Sequence, residues 1–109
     1  MGTVYKVLGQ QNPAATTATT LYTVPASTST IATTLNVCNL AATAATFRVA
    51  VRPAGATLAN THYLTYDTNL PANDSIAMTL GLTLATTDII TVYANTATVN
   101  FSIFGTELS

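Results

Sequence analysis

Charge is what this chain has least of. Its 109 residues include three Lys or Arg, four Asp or Glu and one histidine, for a net charge of −1. Charged residues make up 6% of it, against roughly 25% in ordinary globular domains. A nucleic-acid binder displaces counterions with clustered cations, and three cations give no such footprint, so no nucleic-acid partner is expected. Cys38 is the sole cysteine, which excludes an intrachain disulfide. It reads as a small buried hydrophobe on a strand. Tryptophan is absent. No basic n-region or long apolar stretch follows Met1, so no signal peptide is expected. No apolar run reaches the ~18 residues of a membrane-spanning helix, so no membrane is expected either.

What is present is apolar and β-branched. The apolar fraction is 49%, enough for a globular core and unlike a disordered chain. The length suits one domain, residues 1–109. The dominant period is two. Phe47, Val49 and Val51 alternate with Arg48, Ala50 and Arg52. Ile76, Met78, Leu80, Leu82 and Leu84 alternate with Ala77, Thr79, Gly81 and Thr83. Ile90 and Val92 share a face, as do Val99, Phe101 and Ile103. The tract 14–35, AATTATTLYTVPASTSTIATTL, has the alphabet of a linker but the spacing of strands. It reads as a connection, a strand ended by Pro25, a short turn and a second strand with Ile31, Thr33, Leu35 and Val37 on one face.

Turn signals separate the strands. They are Pro53-Ala54-Gly55, Pro71-Ala72-Asn73-Asp74, Thr86-Thr87-Asp88 and Asn95-Thr96. Residues 56–62 read as a loop or a short helical turn. The expectation is an all-β fold: a single antiparallel sandwich, Ig-like or jelly-roll-like. Its eight strands fall near 3–9, 19–24, 29–40, 46–53, 62–69, 75–84, 88–94 and 97–107.

The residues show no reaction chemistry. His62 stands without a nucleophile motif, and no set of His, Cys or carboxylates has metal-ligand spacing. Catalytic, metal and cofactor sites are therefore all assigned as none, and no enzyme is expected. Asp67, Asp74 and Asp88 read as turn-capping carboxylates. Arg48 and Arg52 share a strand face and are expected as polar anchors at a subunit interface, where arginine is enriched. Tyr63 and Tyr66 are expected to add contacts there. Neutral Thr/Ala/Ser faces lose little side-chain entropy on packing, and edge lysines are nearly absent, so a homo-oligomer is expected.

The strings LYTVP (21–25), LNVCN (35–39), FRVAVRPAGA (47–56), HYLTYDTNLPANDSIAMTLGLTL (62–84), DIITVYA (88–94) and FSIFGTEL (101–108) cover most of the chain. Together they resemble a group of small virion-associated proteins of tailed bacteriophages. The resemblance implies a structural protein made in the host cytoplasm and carried in the virion. Small size then suggests a head decoration, or cement, protein, with a trimer favoured and the major capsid protein or other virion proteins as partners. The alternatives are a tail, neck or fibre-associated module, and a host-glycan-binding module using Tyr63, Tyr66 and Tyr93. The resemblance carries over no catalytic residue.

Overall fold

Eight strands follow one another with no α-helix between them in the computed structural model, which describes residues 2–109. They are β1 (Thr3–Gln11), β2 (Thr19–Thr23), β3 (Ser29–Asn39), β4 (Ala45–Arg52), β5 (Tyr63–Leu70), β6 (Ser75–Leu84), β7 (Ile89–Ala94) and β8 (Val99–Leu108). Single 3-10 turns at Pro53–Gly55 and Asn60–His62 break the β4–β5 connection. The second lies in the stretch expected to be loop or helical turn.

The strands form two four-stranded antiparallel sheets. Sheet A runs β1-β8-β3-β6 and sheet B runs β2-β7-β4-β5. Thus β1 pairs with β8, β2 with β7, β3 with β6 and β4 with β5. The chain behaves as one long hairpin folded at the β4–β5 connection. It is then rolled, so that β8 also meets β3 and β7 also meets β4. This is jelly-roll wiring, and it decides between the two sandwich types expected from the sequence.

The period-two residues fill the space between the sheets. Leu35, Val37, Phe47, Val49, Leu70, Ile90, Val92, Val99, Phe101 and Ile103 are all buried. Phe47 of sheet B meets Phe101 of sheet A edge-on, with ring centroids 6.1 Å apart. Such a pair adds about 0.5–1.5 kcal/mol beyond area burial. On β6, Ile76, Met78, Leu80 and Leu82 are half-buried and pack against this core, because β6 is an edge strand with a neighbour on one side only.

One expected face is corrected. On β3, Ile31 and Thr33 are exposed, while Thr30 and Ala32 are buried ahead of Leu35 and Val37. The registers to β6 and β8 both shift between Ala32 and Thr34. Against β8, Thr33 is an extra residue, and one extra residue exchanges the two faces of a strand; against β6 the extra residue is on β6, where Leu80 and Gly81 stand opposite Thr33. Cys38 is also corrected: it is half-buried, not fully buried.

One buried amide ties an end of the sandwich together. Asn39 is 1% exposed. Its Nδ2 donates to the carbonyls of Thr43 (2.8 Å), Pro71 (3.3 Å) and Leu70 (3.4 Å). Its Oδ1 accepts from the Ala41 N–H (3.0 Å) and the Thr98 hydroxyl (3.1 Å). The β3–β4, β5–β6 and β7–β8 connections thus share one side chain.

Candidate functional site

Three of the four residues expected at an interface come together on the outer face of sheet B. Arg48 leaves β4 opposite its inward neighbours Phe47 and Val49. Its Nε donates to Asp67 Oδ1 (2.6 Å) and its Nη2 to Asp67 Oδ2 (3.2 Å). The guanidinium carbon lies 4.0 Å from the centroid of the Tyr66 ring and 4.2 Å from that of Tyr93. Tyr63 meets Tyr66 edge-on at 4.9 Å. A bulge in β5 makes the arrangement possible. The β4–β5 register passes from Phe47↔Thr68 to Val49↔Thr65, so Tyr66 and Asp67 both stand opposite Arg48. Asp67 takes a left-handed backbone there (φ 49°), which Asp tolerates better than most residues.

The pair shifts both groups. The Asp67 hydrogen bonds raise the Arg48 guanidinium further above its usual range, and Arg48 holds the Asp67 carboxyl below the usual carboxylate range. Asp67 is therefore not a turn cap but one half of a surface fork. Asp74 and Asp88 do act at turns. Asp74 Oδ1 accepts the Ser75 N–H, and the Asp88 carboxylate accepts the N–H groups of Ala54 and Ala85, each at 2.8 Å.

Arg52, the fourth residue, serves its own loop. Its guanidinium donates to the carbonyls of Ala56 (2.8 Å) and Gly55 (3.3 Å) and to the Thr91 hydroxyl (3.4 Å). Beneath these groups, outward-facing Ala50 and Thr91 are only 1% and 4% exposed. The outer face of sheet B is thus largely covered by its own arginines, tyrosines and the Pro53–Gly55 turn. A shallow hollow of about 370 Å³ beside it is lined by Asn60, Tyr63 and Tyr66. The His62 ring accepts the Ala59 N–H through Nδ1, at 3.1 Å.

The outer face of sheet A is different. The registers set Tyr5, Thr106, Ile31 and Thr83 in one row, and Val7, Phe104, Thr34 and Thr79 in another. A third row is Thr3, Leu108 and Ser29; further along lie Gln10, Ser102, Asn36 and Ala77, then Asn100, Cys38 and Ser75. Among the described residues this face holds no Asp, Glu, Lys or Arg. Tyr5 is 82% exposed, Val7 48%, Ile31 38% and Leu108 37%. These residues escaped the sequence reading because the bulge at Thr33 hides the outward position of Ile31. The alternation of Thr3, Tyr5 and Val7 with Val4 and Lys6 was the available signal: apolar residues on both sides mark a strand with one unpacked face.

Both charged side chains of β1 and β8 point the other way. Lys6 Nζ lies 3.3 Å from Glu107 Oε1. The Tyr22 hydroxyl donates to Glu107 Oε2 (2.5 Å), and the Thr30 hydroxyl, 2.8 Å from Tyr22 Oη, donates to it in turn. Burial, then the Glu107 contact, pushes the Tyr22 phenol up to about 12. The Tyr22 hydrogen bond, aided by Lys6, holds the Glu107 carboxyl below its usual range.

Among the described residues no three His, Cys, Asp or Glu side chains group as metal ligands. No protein-family model matches the chain, and no curated protein matches it.

Proposed function

We propose that this protein is a non-enzymatic structural module of a tailed-bacteriophage particle, acting as a decoration protein on the head lattice. The observation that carries the reading is the outer face of sheet A, four strands wide and, among the described residues, free of charged side chains. A solvated face of a monomer ordinarily carries roughly 25–35% charged residues, which keep it soluble. A face of Thr, Ser, Ala and a few large apolar residues is instead suited to lying against another protein surface. The sequence resemblance supplies the setting. Jelly rolls also occur in viral capsid and lectin domains, although a fold alone does not fix a function.

The mechanism needs no reaction. Each copy adds a modest neutral contact to its neighbours, and many copies on a lattice sum those contacts into mechanical stability. Glycan binding at Tyr63 and Tyr66 has less support. Arg48 lies over one face of Tyr66 and Tyr63 meets it edge-on, so protein contacts take part of the ring surface on which a sugar would stack, although Tyr66 is still 55% exposed.

Quantitative mass spectrometry of purified particles tests the reading. Hundreds of copies per particle are expected of a head decoration protein, with loss of the protein lowering particle resistance to heat. A few to tens of copies assign it to the tail, neck or fibres instead. Absence from washed particles sinks the virion reading altogether.

A further inference from the structure

Sheet A ends on one side at β1, and the hydrogen-bonding pattern shows which groups that edge leaves open. Gly2 and Ser109 exchange both backbone bonds, each N–H to O distance being 2.9 Å. In an antiparallel ladder, bonded and non-bonded pairs alternate. The register Val4↔Glu107 and Lys6↔Gly105 therefore continues the bonded pairs, and the N–H and C=O groups of Thr3, Tyr5 and Val7 point away from β8. Among the described residues nothing pairs with them. Beyond Val7 the register shifts at Leu8, and Gly9 lies so close to β2 that a Cβ there would sit 2.2 Å from the Leu21 carbonyl oxygen. The open edge is thus the straight run Thr3–Val7.

This edge lacks the devices that normally block strand pairing. It has no proline, and its one lysine, Lys6, turns its ammonium toward Glu107. The other edges are blunter. β5 carries two register shifts, and β2 is five residues long with a shift inside it. The ladder between β3 and β6 is interrupted at Leu80 and Gly81.

We propose that β1 pairs with β1 of a second copy, antiparallel across a twofold axis at Tyr5, joining two A sheets into one eight-stranded sheet. Three constraints select that register. Centring on Tyr5 pairs Thr3 with the partner's Val7 and Tyr5 with the partner's Tyr5, so all three open residues exchange both backbone bonds. Centring one residue later sets Lys6 opposite the partner's Lys6, and like charges directly opposed are unfavourable. Centring one residue earlier carries Val7 past the partner's Thr3, beyond the start of β1. The chosen register also keeps Tyr5, Val7 and Thr3 on the uncharged outer face, which then runs unbroken across both copies. A twofold contact closes on itself, and it is the commonest symmetry of soluble oligomers. It yields a dimer, not the trimer that the phage resemblance implies, and it stands whether or not the particle assignment does.

Sedimentation or light scattering on the whole chain, at tens to hundreds of micromolar, reads the mass. The expected result is a doubling of the 11.3 kDa monomer mass. Tyr5→Pro removes only an edge-facing N–H, so a monomer with unchanged circular dichroism is expected. A second measurement covers the case in which that variant fails to fold. In a Cys38→Ser background, Y5C is expected to form a disulfide-linked dimer under mild oxidation, because bonded antiparallel partners lie ~5.5 Å apart at Cα. V7C alone is expected not to, whereas V7C mixed with T3C is. A monomer at every concentration overturns the proposal and leaves the edge to a strand of another protein. A trimer or open-ended polymer, or V7C self-linking as readily as Y5C, also overturns it.

Discussion

Gly105 and Gly81 carry the same absent side chain and opposite expectations. A Cβ on Gly105 would lie 2.2 Å from the Ile31 carbonyl oxygen and 3.0 Å from both Ala32 Cα and Leu8 Cδ1. Two of those three neighbours are backbone and have little room to move. Gly105→Ala is therefore expected to cost about 1–3 kcal/mol or more, as overpacking does. Gly81 has nothing within 4 Å of its virtual Cβ and an ordinary negative φ. Gly81→Ala is expected to be neutral or stabilising by about 0.5–1 kcal/mol, since the unfolded chain loses freedom. Urea midpoints of the two variants check the contrast. Tyr22 sets the pH window. Its folded pKa is raised to about 12, so the stability it contributes is full below the ordinary tyrosine pKa near ~10 and is lost as pH climbs toward 12. Glu107 is shifted down, so its contribution is present above the unfolded carboxylate pKa near ~4.3 and is lost as pH falls through the lower folded value. Tyr22→Phe removes the hydrogen bond to a charged carboxylate, an expected cost of about 1.5–3 kcal/mol at neutral pH. It should also lift the Glu107 pKa, read by carboxyl carbon NMR, and flatten the alkaline fall in stability. An unchanged alkaline limb would assign that fall to a different tyrosine.

At the scale of the element, the strands were legible and the bulges were not. Alternation at Ile76–Leu84 and Phe47–Val51 located β6 and β4 because a residue facing the other sheet must be apolar whatever lies beside it. Pro25, Pro53 and Pro71 each stand just past a strand end, where a missing N–H costs no ladder bond. The bulge at Thr33 left no such mark, since threonine is acceptable on either face, and so the outward position of Ile31 was lost with it. The same holds at Tyr66-Asp67, where the extra residue turns Asp67 from a turn cap into the partner of Arg48. Arg48, Tyr63 and Tyr66, expected together at an interface, are neighbours on the outer face of sheet B, whereas nothing in the sequence spacing shows that Arg52 is committed to the carbonyls of Gly55 and Ala56. Strand order was also beyond reach: β1 meets β8 across nearly the whole chain, and no local pattern encodes that pairing. Asn39 was read as one more strand residue, yet it joins three loops. Asn39→Leu would remove a donor from the carbonyls of Thr43, Leu70 and Pro71 and an acceptor from the Ala41 N–H and the Thr98 hydroxyl, around a side chain that is itself buried. A loss of about 2–4 kcal/mol is expected, with hydrogen exchange rising in all three connections together. Protection lost in one connection alone would show that the amide is not their common tie.

At the scale of the whole molecule, the scarcity of charge predicts how it responds to salt. Two ion pairs are present among the described residues, Lys6–Glu107 and Arg48–Asp67, and each keeps at least one strongly exposed partner. Exposed pairs contribute little and are screened within about 10 Å at 0.1 M salt. The core is uncharged, and the proposed dimer contact at the β1 edge would run through backbone groups, Tyr5, Val7 and their neighbours. Raising sodium chloride from 0.05 M to about 1 M is therefore expected to change the unfolding free energy by no more than about 1 kcal/mol, and association should hold or strengthen. Thermal unfolding read against protein concentration separates the two effects. Mass action makes the midpoint of an associating protein climb with concentration. That slope should persist in high salt for the native chain and vanish for Tyr5→Pro. An assembly that dissolves in salt would instead point to charged side chains as the contact, and the uncharged face of sheet A would then be no part of it.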